Sequence, residues 1–185
     1  MKEIVFLLEE SSAEVFLEQI IHRIVDLERI KVTYVTFQGK SDLSEKLVKK
    51  MRGWCNREAK FIVMHDKDSN DCRNLKHDLV TKCKPTGRPF KVRIACTELE
   101  SFFLGDLKAV EKAFNINKLA LRQSEAKFRD PDKLANSSQE LTKLTNQRYQ
   151  KISGSREISK HLDFQVNKSA SFRILVKTIE EFASN

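Results

Sequence analysis

Two apolar runs in this chain are each followed by acidic side chains, and this pairing is the clearest sign of chemistry in the sequence. The acids are Glu9 and Glu10 after residues 4–8, and Asp66 and Asp68 after residues 61–64. In open α/β sheets the functional crevice lies outside the carboxyl ends of the strands. Carboxylates gathered there repel one another unless a cation lies between them, and such hard oxygen ligands suit Mg²⁺ or Mn²⁺ better than zinc. The pattern therefore predicts a divalent-metal site at the edge of a sheet.

The elements that must position these acids alternate in type over the first hundred residues. Strands are predicted at 3–8, 31–37, 60–64 and 90–95, and helices from Ser12, from the turn at 39–42 to about Arg57, and from 71 to 82. This order predicts an α/β fold, a mostly parallel four-stranded sheet flanked by helices.

The later part of the chain has a different character. After residue 97 the pattern is helical, residues 117–160 are polar and rich in Lys and Arg, and a last amphipathic helix is predicted over 171–183. We therefore predict an α/β core at 1–116 and a mainly helical basic extension at 117–185 that packs on it.

Composition narrows the class of protein. The chain has 185 residues and a formal net charge of +8, so a basic surface would surround the predicted acidic site. That arrangement suits an enzyme acting on a polyanion, and a charge that serves only to keep the protein soluble is the equal alternative.

The sequence shows no signal peptide and no apolar run near the roughly 18 residues of a membrane span, which predicts a cytoplasmic protein without membrane contact. The four cysteines form no C-x-x-C pair and are interpreted as small buried apolar residues.

The segment from Asp66 to Asp71 allows other interpretations. It superficially resembles an EF-hand calcium loop, but that loop needs Gly at its sixth position and Glu at its twelfth, where this chain has Asp71 and His77. A surface turn in which Asp68 or Ser69 caps the next helix is the structural alternative.

A phospho-acceptor receiver domain also carries acids after strands 1 and 3. It needs a lysine after a fifth strand, however, and no clean fifth strand follows.

Three stretches together resemble a Toprim-like family, and two shorter ones agree with it. They are Glu9 to Leu17, Asp66 to Cys72 and Val92 to Asp106, followed by Tyr149-x-Lys151 and Asn167 to Phe172. The family is a small bacterial one of unknown function, often encoded near ATPases of mobile or anti-phage systems. The resemblance spans nearly the whole chain and implies a Toprim-like, Rossmann-like fold.

The resemblance also implies roles for the acids. Asp66 and Asp68 would hold Mg²⁺ (or Mn²⁺), and Glu9 would be a further ligand or a general acid/base. Glu98 and Glu100 compete for the remaining carboxylate role, because residues two apart on a helix face nearly opposite sides. The family likeness favours Glu100 as catalytic, although Glu100 also fits a capping box with Thr97, and Glu98 remains the alternative metal ligand.

Cationic and hydroxyl side chains near the C-terminus could contact phosphates: Lys151, Ser169, Ser171 and Arg173. A solvated basic face is the alternative for each of them. The predicted partner is the backbone of DNA or RNA, since no recognition helix or stacking patch stands out. The chain has no Walker motif, so the ATPase would be a separate chain of the ABC or AAA type.

Three functions follow as hypotheses. The first is a Mg²⁺-dependent phosphodiester-cleaving enzyme, a nuclease that acts as the effector of a bacterial anti-phage system. The second is a non-catalytic binding or sensing subunit of an ATPase complex that keeps a Toprim shape. The third is receiver-type phosphotransfer to Asp66.

Overall fold

The computed structural model describes residues 1–67 and 71–184, and a parallel sheet lies at its centre. The four strands are β1 (Lys2–Leu8), β2 (Ile30–Thr36), β3 (Lys60–Asp66) and β4 (Phe90–Ala95), in the spatial order β2-β1-β3-β4. All three strand pairs are parallel. The predicted fold class is confirmed, and each predicted strand is present to within two residues at either end.

The strand register places the predicted acids at one edge. Leu8 is paired with Thr36 on one side and with Met64 on the other, and Asp66 is paired with Ala95. Because all strands run in the same direction, the residues that follow β1, β3 and β4 leave the sheet at the same edge. The described residues contain no fifth strand, so the receiver hypothesis lacks the strand that would carry its lysine.

Helices cover both faces of the sheet. They are α1 (Ser11–Ile20), α2 (Lys40–Arg52), α3 (Cys72–Cys83), α4 (Glu100–Leu104), α5 (Leu107–Phe114), α6 (Ser137–Leu144), α7 (Lys151–Ser159) and α8 (Ala170–Ser184). Val5 and Leu7 of β1 pack towards α2 and α3, while Ile4, Phe6 and Leu8 pack towards α1 and the helices after β4. Burial on both faces explains why β1 is a continuous apolar run. None of the helices in the described ranges combines the length and apolar character that crossing a membrane needs.

Two helix ends differ from the predictions. The second helix ends at Arg52 rather than near Arg57, because Gly53 caps it and Trp54 turns away to donate from Nε1 to Glu3 at 3.1 Å. The third helix is capped by Asp71, whose carboxylate accepts from the amides of residues 73 and 74 at 2.9 Å each. The predicted caps, Asp68 and Ser69, lie outside the described residues.

One hydrophobic cluster crosses the predicted domain boundary. Phe16 of α1 lies 5.6 Å from Phe102 of α4 and 6.2 Å from Phe172 of α8, measured between ring centroids. All three rings are fully buried. The boundary at 116–117 stays a prediction, but the residues on its two sides share this core.

A second junction between the two parts forms around Gly105. Asn167 Nδ2 donates to the carbonyl of Phe102 at 2.9 Å, and the amide of Lys168 donates to the carbonyl of Gly105 at 2.8 Å. A methyl group on Gly105 would overlap Asn167 Oδ1 and lie 2.8 Å from the amide of Ser169. Glycine is therefore required here by the close approach of two buried segments.

We expect Gly105→Ala to lower the free energy of unfolding by about 1–3 kcal/mol, as overpacking of a tight interior does. Urea denaturation measures this change. Gly53→Ala is the matched control, since its new methyl group would meet only the carbonyl of Lys49 at 3.2 Å. Equal effects of the two substitutions would contradict a specific requirement at residue 105.

Candidate metal centre at the carboxyl edge

Three segments of the chain meet around Asp66 at the end of β3. The amide of Asp66 donates to Glu9 Oε2 at 3.1 Å, and the amide of Leu99 donates to Asp66 Oδ2 at 3.3 Å. His65 Nδ1 lies 3.1 Å from the same Oε2 of Glu9. The end of β1, the end of β3 and the start of α4 are therefore joined by contacts to carboxylates.

The turn between β4 and α4 has an unusual backbone at Thr97. Its φ angle is 75°, a left-handed conformation that β-branched residues rarely adopt. Thr97 is buried, and its hydroxyl lies 2.9 Å from that of Ser137. Backbone strain of this kind is often found at functional sites. The turn places Leu99 against Asp66 and starts α4 at Glu100.

Asp66 lies in an environment that disfavours its negative charge. Burial raises the pKa of this carboxyl well above its usual range, and the nearby charges of Glu10, Glu100 and Glu9 raise it further. The hydrogen bond from Leu99 acts in the opposite direction but does not offset them. Asp66 thus lies near three other carboxyl groups, whose negative charges disfavour its own.

Glu100 is fully buried and only half satisfied. Its Oε1 accepts a hydrogen bond from the Tyr149 hydroxyl at 2.9 Å, whereas its Oε2 is buried without a partner among the described residues. Burial raises the pKa of this carboxyl, although Tyr149 and Lys151 act to lower it. An unpaired buried carboxylate oxygen is costly, and such atoms are often explained by an ion or water.

Lys151, the first residue of α7, brings positive charge to these acids. Its Nζ lies 2.7 Å from Glu10 Oε2. Burial alone would lower the pKa of Lys151, but contact with Glu10 and the proximity of Glu100 and Asp66 raise it overall. The sequence groups Glu10 with Glu9 at the end of β1, but the resemblance assigns a role only to Glu9. The position of Glu10 directly after Glu9 is the sequence feature that could have indicated its place beside these acids.

Glu98, the other predicted acid that the structure describes, makes a different contact. Glu98 accepts from the amide of Ser138 at 2.7 Å, at the start of α6, and its charge contributes to raising the pKa of Glu100. Of the two competing acids, the structure thus brings Glu100 to Asp66 and gives Glu98 a helix-capping contact. The capping box expected for Glu100 and Thr97 is absent, since Glu100 contacts Tyr149 instead. Asp68 lies outside the described residues.

The serines predicted to bind phosphate have internal partners. Ser169 and Ser171 are buried, and their hydroxyls lie 2.6 and 3.0 Å from Asp132 Oδ1. Arg173 Nη1 donates to the carbonyl of Asn167 at 2.6 Å. These three residues stabilise the start of α8, so of the four predicted phosphate contacts only Lys151 is near the acidic edge. The polar side chains of this segment therefore form a buried junction within the protein. The local sequence does not distinguish such a junction from a site that binds a ligand.

The residues at the edge fit a divalent cation by their chemistry. In residues 1–67 and 71–184, no group of three or more His, Cys, Asp or Glu side chains is arranged so that it could hold a metal ion. Even so, Oε2 of Glu100 has no hydrogen-bond partner among these residues, and the Asp66 carboxyl has a raised pKa although the ammonium of Lys151 is nearby. Both are oxygen ligands of the kind that Mg²⁺ and Mn²⁺ take.

The fold and this edge define the protein as a parallel α/β domain with a cluster of carboxylates at the carboxyl ends of its strands. Over residues 8–180 the chain matches a family described as a domain of unknown function, DUF4276. The chain belongs to this family. No curated protein and no solved structure matches it.

The electrostatics of Asp66 generate a prediction about stability. Because its pKa is raised in the folded protein, ionised Asp66 costs folding free energy at pH values above that raised pKa. The cost declines as the pH falls through the raised pKa and is absent below the unfolded value of about 3.9. We therefore expect metal-free Asp66→Asn to be more stable than wild type at pH 8. Its Tm should rise by roughly 2–4 °C for each kcal/mol of folding free energy that the loss of the charge restores.

Thermal unfolding of both proteins from pH 8 to pH 4 measures the difference, which should shrink as the pH falls. Asp71→Ala is the contrasting control. It removes a helix cap and should lower stability by about 1 kcal/mol. A lower Tm for Asp66→Asn at pH 8 would show that the carboxylate is not under electrostatic strain.

Proposed function

We propose that this protein is a metal-dependent phosphodiesterase that cleaves the backbone of a nucleic acid. The observation that carries the proposal is the convergence of Glu9, Glu10 and Glu100 on the desolvated carboxyl of Asp66. Such a cluster is unfavourable by itself and becomes favourable when a cation neutralises it. The net charge of +8 on the whole chain agrees with a polyanionic substrate.

The chain's own residues would divide the work. Asp66 and Glu100 would hold Mg²⁺ or Mn²⁺, together with Glu9 and with Asp68 from the adjoining sequence. When bound, the ion would neutralise the phosphate and lower the pKa of an attacking water. Glu9, which contacts His65 and the amide of Asp66, would act either as a further ligand or as the group that accepts a proton from that water.

Lys151 and Tyr149 would act on either side of the same centre. The ammonium of Lys151 contacts Glu10 at the exposed side and could exchange that contact for a phosphate oxygen of the substrate. Tyr149, buried behind the site, fixes the rotamer of Glu100 through its hydroxyl. Rigid support of this kind lowers the reorganisation that a reaction would need.

The wider setting is also part of the proposal. We infer that the protein acts as the effector of a bacterial anti-phage system and works with an ATPase supplied by a separate chain. Support comes from the Toprim-like order of motifs, with acids after β1 and β3 and an acid opening α4. An effector that depends on its partner would be inactive alone, so assays need conditions with and without such an ATPase.

We expect Glu100→Gln to reduce Mg²⁺- or Mn²⁺-dependent cleavage by on the order of 10²-fold or more, because it removes a buried charge at the centre. Glu98→Gln, two residues earlier, is the matched control and should cleave like wild type. Cleavage of labelled single- and double-stranded DNA and RNA measures the rates, and calorimetry measures metal binding by the same proteins.

Two outcomes would count against the proposal. Full metal-dependent cleavage by Glu100→Gln would remove Glu100 from the centre. Wild-type protein that neither binds metal nor cleaves with the ATPase present would reject the enzyme itself.

A second candidate is the non-catalytic subunit, and the contacts of Lys151 and Tyr149 favour it specifically. The Lys151–Glu10 and Tyr149–Glu100 contacts join the extension to the core, so the acids could serve only as an internal polar junction. In that case Lys151→Met should lower the Tm, and neither Mg²⁺ nor Mn²⁺ should bind. Metal-dependent cleavage by a partner-free preparation would reject this candidate.

A further inference from the structure

Two cysteines far apart in sequence touch beside the acidic edge. Cys72 Sγ and Cys96 Sγ lie 3.4 Å apart, and both residues are half-buried with free thiols. Of the other two cysteines, Cys55 is exposed and Cys83 is fully buried. The prediction that all four are buried apolar residues is therefore correct only for Cys83, and Cys72 and Cys96 form a pair that their sequence spacing conceals.

The positions of the two thiols connect them to the site. Cys72 is the first residue of α3, and Cys96 follows the last residue of β4. The amide of Lys67 already donates to the carbonyl of Ala95 at 3.0 Å, directly before Cys96. Lys67 and Cys72 flank the sequence that contains Asp68, and both of them contact the same short segment at the end of β4.

We propose that Cys72 and Cys96 are a redox modification site and form an intramolecular disulfide when the protein meets a peroxide. The sulfurs are in contact, and a disulfide requires them to approach to about 2.05 Å, a small displacement for half-buried side chains. The inference rests on this geometry alone and does not depend on the proposed function.

The reaction balances with hydrogen peroxide as the oxidant. One thiolate attacks a peroxide oxygen, which breaks the O–O bond and forms a sulfenic acid; the expelled hydroxide takes up a proton and leaves as water. The second sulfur then attacks the sulfenic sulfur, the S–S bond forms, and a second water leaves. Two thiols lose two electrons and two protons in total, and the peroxide is reduced to two waters.

The disulfide would have a structural consequence at the edge. It would join the start of α3 covalently to the segment that continues through Thr97 to Glu100, and would close a ring containing α3 and β4. A covalent ring reduces the freedom of the unfolded chain, so the oxidised protein should unfold at a higher temperature.

The test is a peroxide titration of the folded protein followed by peptide mapping without reductant. Trypsin leaves each cysteine in a separate peptide, with Cys72 in 68–73 and Cys96 in 94–108. We expect a cross-link between these two peptides, loss of two of the four thiols, and a rise in Tm that dithiothreitol reverses. A Cys55→Ser/Cys83→Ser double variant should behave in the same way. Cys72→Ser and Cys96→Ser should each abolish the cross-link and the rise in Tm.

Three results would overturn the inference. In the first, all four thiols remain after excess peroxide. In the second, Cys72 or Cys96 is oxidised to sulfinic acid without a cross-link. In the third, the Cys55→Ser/Cys83→Ser variant forms no cross-link between the peptides of Cys72 and Cys96. Because the double variant lacks Cys55 and Cys83, it keeps the test decisive even if those residues react in the wild type.

Discussion

Like charges repel most strongly where water is excluded, and the carboxyl edge of this sheet gathers Glu9, Glu10 and Glu100 around a desolvated Asp66. The parallel strand order brings these acids together, because β1, β3 and β4 are neighbours and the residues that follow them leave the sheet side by side. The rest of the molecule can be understood as the means of holding those acids together. Hydrogen bonds from the amides of Asp66 and Leu99 orient two of them, and a strained turn at Thr97 delivers a third.

The C-terminal extension supplies a hydrogen-bond donor and a positive charge to the acids of the core. Tyr149 satisfies one oxygen of Glu100, and Lys151 supplies an ammonium to Glu10. The same segment is anchored by the aromatic contacts of Phe172 and by the close approach at Gly105. One buried oxygen of Glu100 has no partner within residues 1–67 and 71–184, and this makes the edge a candidate for cation binding.

Much of the fold could be predicted from sequence, because buried parallel strands are continuous apolar runs bounded by polar residues. Helix ends were harder: Gly53 ends α2 early because Trp54 is drawn to the buried Glu3, a contact between residues 51 positions apart. Glu9 and Asp66 could be predicted from the strand ends, since parallel strands align their carboxyl termini. Glu98 and Glu100 could not be separated, because the choice depends on Ser138 and Tyr149, which belong to later helices. The contacts of Ser169 and Ser171 could not be predicted for a similar reason, since their partner is Asp132 of a distant segment.

The order in which these residues occur along the chain has a consequence for biosynthesis. A domain generally folds as a unit once enough of it has emerged from the ribosome. Glu9, Asp66 and Glu100 are all made before Tyr149 and Lys151, so a nascent chain that has completed β4 and α4 exposes its acids without the partners that α7 brings. The edge reaches its final charge balance only when α7 has docked against the acids.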